Sequence, residues 1–170
     1  MLRKIILKIK TKLALKKGDE HISEAYANAK KIGLLYSFDA ERKSGVIEEL
    51  ITKFESDQKD VHTMTFVPAK SGETPEYAFF TEKDLGANGK WKNESVKEFS
   101  DQNFDFLVSL DWDVNKYTQH ILATSRSKCR VGRYEEGKSQ FFEFMITPKD
   151  DHYQGYLKEL YHYLTNVRNG

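Results

Sequence analysis

Cysteine, proline and glycine are all scarce in this sequence, and each scarcity excludes a class of structure. The one cysteine, Cys129, allows neither an internal disulfide nor a cluster of thiolate metal ligands. A lone thiol is typical of proteins in a reducing compartment, which predicts a cytoplasmic location. Three prolines and ten glycines among 170 residues leave no room for a long flexible linker. We therefore expect one compact chain with a core of its own.

Long apolar runs are also missing. Near the amino terminus, lysines interrupt the apolar residues every two or three positions, so the sequence predicts neither a signal peptide nor a membrane-spanning segment. Acidic residues are absent from residues 1–17, which carry seven basic side chains, whereas residues 18–170 carry 20 basic and 26 acidic ones. A folded part with a net charge of −6 argues against nucleic-acid binding by the whole domain.

Residues 1–18 are predicted to form a basic amphipathic helix that ends near Gly18. Lys4, Lys8 and Lys12 fall on a different face from the apolar stripe, whose members are Leu2, Ile5, Ile6, Ile9 and Leu13. Three roles fit such a helix. The stripe packs on the domain or on a neighbouring subunit, which would give a homo-oligomer; the helix lies on an anionic membrane; or it binds nucleic acid or an acidic partner.

Residues 19–170 are predicted to form a single α/β domain, because apolar runs of strand length alternate with segments of helical period. Strands are predicted at residues 31–36, 61–67, 77–81, 104–110, 129–134 and 141–146, and helices at 46–54, after the cap Asn93, at 114–125 and at 153–167. Residues 82–90 are expected to be an exposed loop. The short gap before residue 141 favours an antiparallel hairpin, hence a mixed, mainly parallel sheet. The predicted fold is a three-layer, Rossmann-like or flavodoxin-like domain.

The candidate ligand site lies where the predicted strands end. In open parallel sheets, ligands bind outside the carboxyl ends of the strands, at the point where strand order reverses. If residues 31–36 lie between 61–67 and 104–110, Asp39 and Asp111 come to neighbouring strand ends, where carboxylates could bind Mg²⁺ or share a proton. The candidate ligand-binding residues are Asp39, Lys70, Asp111, Trp112, Asp113, Asn115, Lys116, Arg126 and Arg130.

Structural roles explain most of the same residues. Asp113 is well placed as a helix N-cap, and Asp39 or Ser44 as the cap of the helix at 46–54. Trp112 could stack on a base or sugar, or pack over the edge of the sheet. His120 lies off the buried stripe of its helix and is expected to be solvated.

The basic segment 126–133 also has two interpretations. Arg126, Lys128, Arg130 and Arg133 are taken to share one face of a strand, where they could form a phosphate-binding stripe. Alternatively, the carboxyl end of the preceding helix attracts cations, and Arg130 and Arg133 form the solvent side of an edge strand.

No motif in the sequence dictates a reaction. It has no glycine-rich phosphate loop, no zinc-ligand spacing and no nucleophile elbow, so no catalytic residue, metal or cofactor is predicted. The leading hypothesis is a non-catalytic intracellular domain that binds a protein partner or a membrane surface through residues 1–17, either in the cytoplasm or peripheral to the inner membrane. The alternative is a nucleotide- or phosphosugar-binding protein, glycosyltransferase- or hydrolase-like, with its site at the strand ends.

Four segments resemble an uncharacterised family of small Bacteroidetes proteins: residues 31–36, 80–85, 104–111, and the spacing Ser125-x-x-Lys128-x-x-Val131-Gly132. The resemblance covers most of the chain but implies no activity and assigns no functional residue, and the sequence departs from it at residues 86–91. Residues 104–111, the helix that follows and Arg130-Val131-Gly132 are more weakly similar to the amino-terminal domain of heptosyltransferase-like glycosyltransferases. That similarity implies shared topology rather than shared catalysis.

Overall fold

The computed structural model describes residues 2–16, 25–38, 44–149 and 151–168. These residues form five α-helices: α1 (Leu2–Lys16), α2 (Ser44–Ser56), α3 (Glu94–Asp101), α4 (Lys116–Thr124) and α5 (Tyr153–Thr165). They also form six strands: β1 (Lys31–Ser37), β2 (Asp60–Phe66), β3 (Phe79–Phe80), β4 (Phe106–Ser109), β5 (Cys129–Arg133) and β6 (Phe144–Ile146). Two short 3₁₀ turns lie at Glu82–Asp84 and Ser139–Phe141.

The six strands form one parallel sheet in the order β3-β2-β1-β4-β5-β6. This confirms the predicted α/β class and the predicted neighbours of β1, which pairs with β2 on one side and β4 on the other. From β1 the chain runs outward to β3, returns to β4 and then runs outward in the other direction. Strand order therefore reverses between β1 and β4, as in a doubly wound Rossmann sheet.

The predicted antiparallel hairpin between the last two strands is wrong, and with it the mixed sheet. β5 and β6 are parallel, with Val131 opposite Phe144 and Arg133 opposite Ile146. The sequence pattern placed the start of β6 too early, because Phe141 and Phe142 are apolar like strand residues. In the structure both are buried in the connection, where they pack against the sheet.

The helices cover the sheet on both faces, which gives the predicted three layers. On one face, α2 contributes Ile47 and Phe54 and α5 contributes Tyr156 to a single apolar cluster. On the other face, the cluster includes Phe99 from α3 and Ile121 from α4. The two clusters share the buried strands β1 and β4, whose residues alternate between the faces.

Helix α1 lies outside these three layers and packs against α4. Its Leu7 is fully buried, and the Thr11 hydroxyl donates to the Leu7 carbonyl over 2.8 Å and lies 3.0 Å from Nδ1 of His120. The loop 82–90 approaches the same helix. Gly89 has φ +68°, and a Cβ there would lie 2.6 Å from Cγ2 of Ile6, so only glycine fits. The expectation that this loop is exposed fails at Leu85, Gly86 and Gly89, which are buried.

His120 is 5% exposed, so its predicted solvation is wrong. The reason is that α1 covers the side of α4 on which His120 lies, a contact that the helical period of α4 alone does not show. Burial lowers the pKa of His120 to about 4, and the nearby charge of Lys10 contributes in the same direction. The ring is therefore neutral at pH 7, and its Nδ1–H can donate to the Thr11 hydroxyl.

This histidine should make the fold sensitive to mild acid. Its folded pKa lies below the ordinary value of about 6.5, so its contribution is fully present above that value and is lost as pH falls toward 4. We expect the free energy of unfolding of the wild type, relative to His120→Gln, to fall by about 2 kcal/mol between pH 7 and pH 5. Urea unfolding at both pH values measures this difference. His162→Gln, at an exposed histidine, is the control, and a difference that does not change with pH would contradict the prediction.

Candidate functional site

The reversal point between β1 and β4 holds a closed polar cluster. Asp111, which follows β4, is 1% exposed and accepts hydrogen bonds from Ser37 at the end of β1. Its Oδ1 accepts from the Ser37 backbone N–H at 2.6 Å, and its Oδ2 accepts from the Ser37 hydroxyl at 2.9 Å. The Thr118 hydroxyl lies 3.4 Å from the same Oδ2. The Asp111 carboxylate thus links the ends of two neighbouring strands to α4.

Asn115 is the residue that caps α4, so the prediction that Asp113 is the cap is wrong. The Asn115 Oδ1 accepts from the backbone N–H groups of Tyr117 and Thr118, and its Nδ2 donates to the Ser37 hydroxyl over 2.7 Å. Asp113 points outward, with its side chain 81% exposed and an oxygen 3.5 Å from the Arg133 guanidinium. The helix starts two residues later than its apolar pattern indicated, since Val114 packs in the core without being helical.

Trp112 packs over the elbow after β4. Its ring meets Tyr156 edge-on, with the ring centroids 5.9 Å apart, and the Arg133 guanidinium lies 4.5 Å from the ring centroid on the indole face. Arg133 Nε also donates to the Trp112 carbonyl over 2.8 Å. Tyr156 is fully buried and donates to the Ser109 carbonyl. These contacts favour the structural interpretation of Trp112 over stacking on a ligand.

The other predicted site residues do not meet at this point. Asp39 lies outside the described residues. Lys70 is exposed in the loop after β2, and β1 lies between β2 and β4, so roughly 10 Å of sheet separates Lys70 from the Asp111 strand. Arg126 precedes β5, at the amino end of the sheet, where it is exposed and lies 3.5 Å from Asp101.

Arg130 and Arg133 lie on opposite faces of β5, because they are three residues apart. The predicted basic stripe on one face of the strand is therefore not formed. The alternative, that Arg130 and Arg133 are the solvent side of an edge strand, is also wrong, because β5 lies between β4 and β6. Arg130 is buried and pairs with Glu143, whose oxygens accept from its Nε at 3.0 Å and from its Nη2. Its Nη1 donates to the Leu122 carbonyl. Arg130 thus links β5 to α4 and to the connection between β5 and β6.

A groove of about 820 Å³ opens beside the last residue of the predicted set, Lys116. It lies between α1, the start of α4 and the connection that follows β5. Its floor and walls include apolar side chains, among them Ile5, Val114 and Phe141. Its volume is within the range of sites that take small molecules.

The groove is basic. It is lined by five lysines, namely Lys4, Lys8, Lys12, Lys116 and Lys138. No acidic residue of the described part of the chain lines it. Lys4 and Lys116 lie close enough to interact, although α1 and α4 are far apart in sequence. Burial lowers the pKa of Lys116, and the adjacent Lys4 lowers it further.

The outer side of α1 carries an apolar stripe of four exposed residues, which we call the outer stripe: Leu2, Ile5, Ile9 and Leu13, between 50% and 68% exposed. Their spacing places them opposite the buried Leu7 and Thr11. The expectation that the stripe packs on the domain is therefore wrong for these four residues, although Ile6, the fifth member, lies against Gly89. Packing on a neighbouring subunit stays a prediction. Elsewhere in the described residues only Tyr134 and Tyr163 are large apolar side chains with comparable exposure.

Cations flank the outer stripe on both sides. Lys4, Lys8, Lys12 and Lys16 form a row at intervals of four residues, and Arg3 and Lys10 lie on the other flank. The helix has no acidic residue. The sequence revealed this basic row, but not its meeting with Lys116 and Lys138, because that depends on how α1 docks. No helix in the described ranges is both long enough and apolar enough to cross a membrane.

These features define a class: a doubly wound α/β domain with a basic helix docked on one helical layer and an apolar face left open. Residues 3–167 match the model of a family of unknown function, DUF6913, and the chain belongs to that family. Among curated proteins and among solved structures, nothing matches the chain.

Proposed function

We propose that this protein binds an anionic membrane surface through α1. The observation that carries the proposal is the outer stripe, which leaves four large aliphatic side chains half exposed or more on a helix without acidic residues. A contiguous exposed apolar face of this kind marks an interaction surface. A stripe between two rows of cations is typical of helices that lie in the plane of a membrane interface.

The charges set which surface is bound and in what orientation. Each lysine or arginine near an anionic leaflet contributes about 1 kcal/mol, and six of them lie on α1. The rest of the chain, residues 18–170, has a net charge of −6 and would be repelled. The domain would therefore bind with α1 toward the lipid. A single cysteine, Cys129, is consistent with the reducing side of a membrane, so the cytoplasmic leaflet is the surface that we propose.

Vesicle co-sedimentation tests this proposal directly. We expect the protein to bind vesicles of phosphatidylcholine mixed with phosphatidylserine, and to bind phosphatidylcholine alone much more weakly. Ile5→Ser/Ile9→Ser should lower binding to the anionic vesicles at least tenfold, because half-burying each isoleucine contributes about 1 kcal/mol. Both side chains are exposed in the free protein, so the melting temperature should change little.

Tyr134→Ser/Tyr163→Ser is the matched control, since it removes comparably exposed apolar side chains away from α1. It should leave vesicle binding unchanged. Equal loss in the two double variants, or no binding to anionic vesicles, would overturn the proposal. So would light scattering that shows a dimer which the isoleucine variant abolishes, because the stripe would then be covered by a second copy.

The alternative function, a nucleotide or phosphosugar site at the strand ends, has less support. Both Asp111 oxygens accept hydrogen bonds within the protein, and Trp112 packs on its neighbours. The sequence resemblance to the amino-terminal domain of heptosyltransferase-like glycosyltransferases concerns topology alone, which many functions share.

A further inference from the structure

The groove beside Lys116 combines positive charge, shape and apolar walls. Of its five lysines, Lys138 lies 3.9 Å from the Glu135 carboxylate. Among the described residues, no carboxylate forms an ion pair with Lys4, Lys8, Lys12 or Lys116. The groove thus contains four ammonium groups that have no carboxylate partner among the described residues.

Lys4 and Lys116 act on each other across the groove. They belong to different helices and repel each other, which is the reason for the lowered pKa of Lys116 beyond its burial. The Glu82 carboxylate acts on Lys116 with the opposite sign, but it already accepts from the Ala69 backbone N–H at 2.9 Å. An anion between the two ammonium groups would relieve their repulsion and form charge-assisted hydrogen bonds with both.

The polar and apolar walls indicate what kind of anion fits. Gln119 and Gln140 supply neutral hydrogen-bonding groups, and the half-exposed Ile5 and Ile9 supply apolar contact surface. A volume of about 820 Å³ is more than an isolated phosphate fills and suits a phosphate joined to an organic group. Lysines bind a phosphate monoester well because each offers three donors and a full charge to its oxygens.

We propose that the groove between α1 and α4 binds a phosphate monoester, held between Lys4 and Lys116, with its organic part against Ile5 and Ile9. The source of the monoester is either a free metabolite or a lipid headgroup, since the groove shares Ile5 and Ile9 with the outer stripe. This binding does not depend on membrane association, because a dissolved phosphate ester can enter the groove.

Isothermal titration with glycerol 3-phosphate tests the free form. We expect saturable binding at one site per chain. Lys4→Ala/Lys116→Ala should weaken it at least tenfold, through loss of both charge-assisted contacts. Lys70→Ala/Lys158→Ala is the matched control, because it removes the same charge from two exposed lysines that do not line the groove. It should change the affinity less than twofold.

A second arm tests the lipid form with vesicles of phosphatidylcholine that contain either phosphatidic acid, a monoester, or phosphatidylserine, a diester. Preference for phosphatidic acid that Lys4→Ala/Lys116→Ala abolishes supports a headgroup site, and binding of glycerol 3-phosphate supports a free ester. Equal losses in the two lysine pairs would overturn the proposal, because they would mean unspecific attraction. Absence of both glycerol 3-phosphate binding and phosphatidic acid preference would overturn it too, even if phosphatidylserine vesicles are bound.

Discussion

Glu143→Gln is expected to lower the free energy of unfolding by about 3 kcal/mol. Arg130 has a side chain that is 9% exposed, and Glu143 supplies the carboxylate that its Nε and Nη2 reach. Glutamine keeps one acceptor oxygen but removes the negative charge, so the Arg130 cation stays buried without compensation. Removing one partner of such a pair is much more costly than replacing both. Urea unfolding at pH 7 measures the loss.

Two further variants make this expectation specific. Glu94→Gln removes the partner of Lys97 in an exposed pair and should cost less than about 0.5 kcal/mol. Arg130→Met/Glu143→Leu removes both charges of the pair and should recover most of the loss. A cost below about 1 kcal/mol for Glu143→Gln, or a double variant less stable than it, would show that water already solvates Arg130.

The alternation of apolar runs and helical periods was enough to predict most of the elements. β1 is a short apolar run buried on both faces, and α2 has three turns of regular period, so local pattern and tertiary structure agree there. The direction of β6 could not be predicted in the same way. Phe141 and Phe142 are as apolar as strand residues, but they fill the space over the sheet that a crossover helix normally fills.

The candidate site was harder to predict than the fold. Strand order correctly brought Asp111 to the end of β1, because a reversal point follows from topology alone. Whether the Asp111 oxygens face a ligand or the protein depends on Ser37, which is 74 residues away from Asp111. It also depends on Asn115, which donates to the Ser37 hydroxyl across 78 residues of sequence. Predicting the basic groove would require a contact between residues still farther apart in sequence. Thr11 and His120, which contact each other where α1 packs on α4, are 109 residues apart. Local periodicity carries no information about such contacts.

The second large effect on stability is expected at Gly132, in the middle of β5. A Cβ at this position would lie 2.4 Å from Cε1 and 2.5 Å from Cζ of Phe142, closer than carbon atoms can approach. The Phe142 ring is 6% exposed and packed in the core, so it has little room to move. Gly132→Ala should therefore lower the free energy of unfolding by about 3 kcal/mol, the upper range for overpacking. Urea unfolding provides the measurement.

A double-mutant cycle assigns this cost to one contact. Phe142→Leu alone should cost about 1 kcal/mol, and Gly132→Ala in that background should add little, since the shorter side chain leaves space for the methyl group. Gly45→Ala is the control, because a Cβ there meets nothing within 4 Å and alanine favours the helix. Additive costs in the cycle would mean that the strain lies in the backbone of β5 instead. The ring of Phe142 would then not be what requires glycine at position 132.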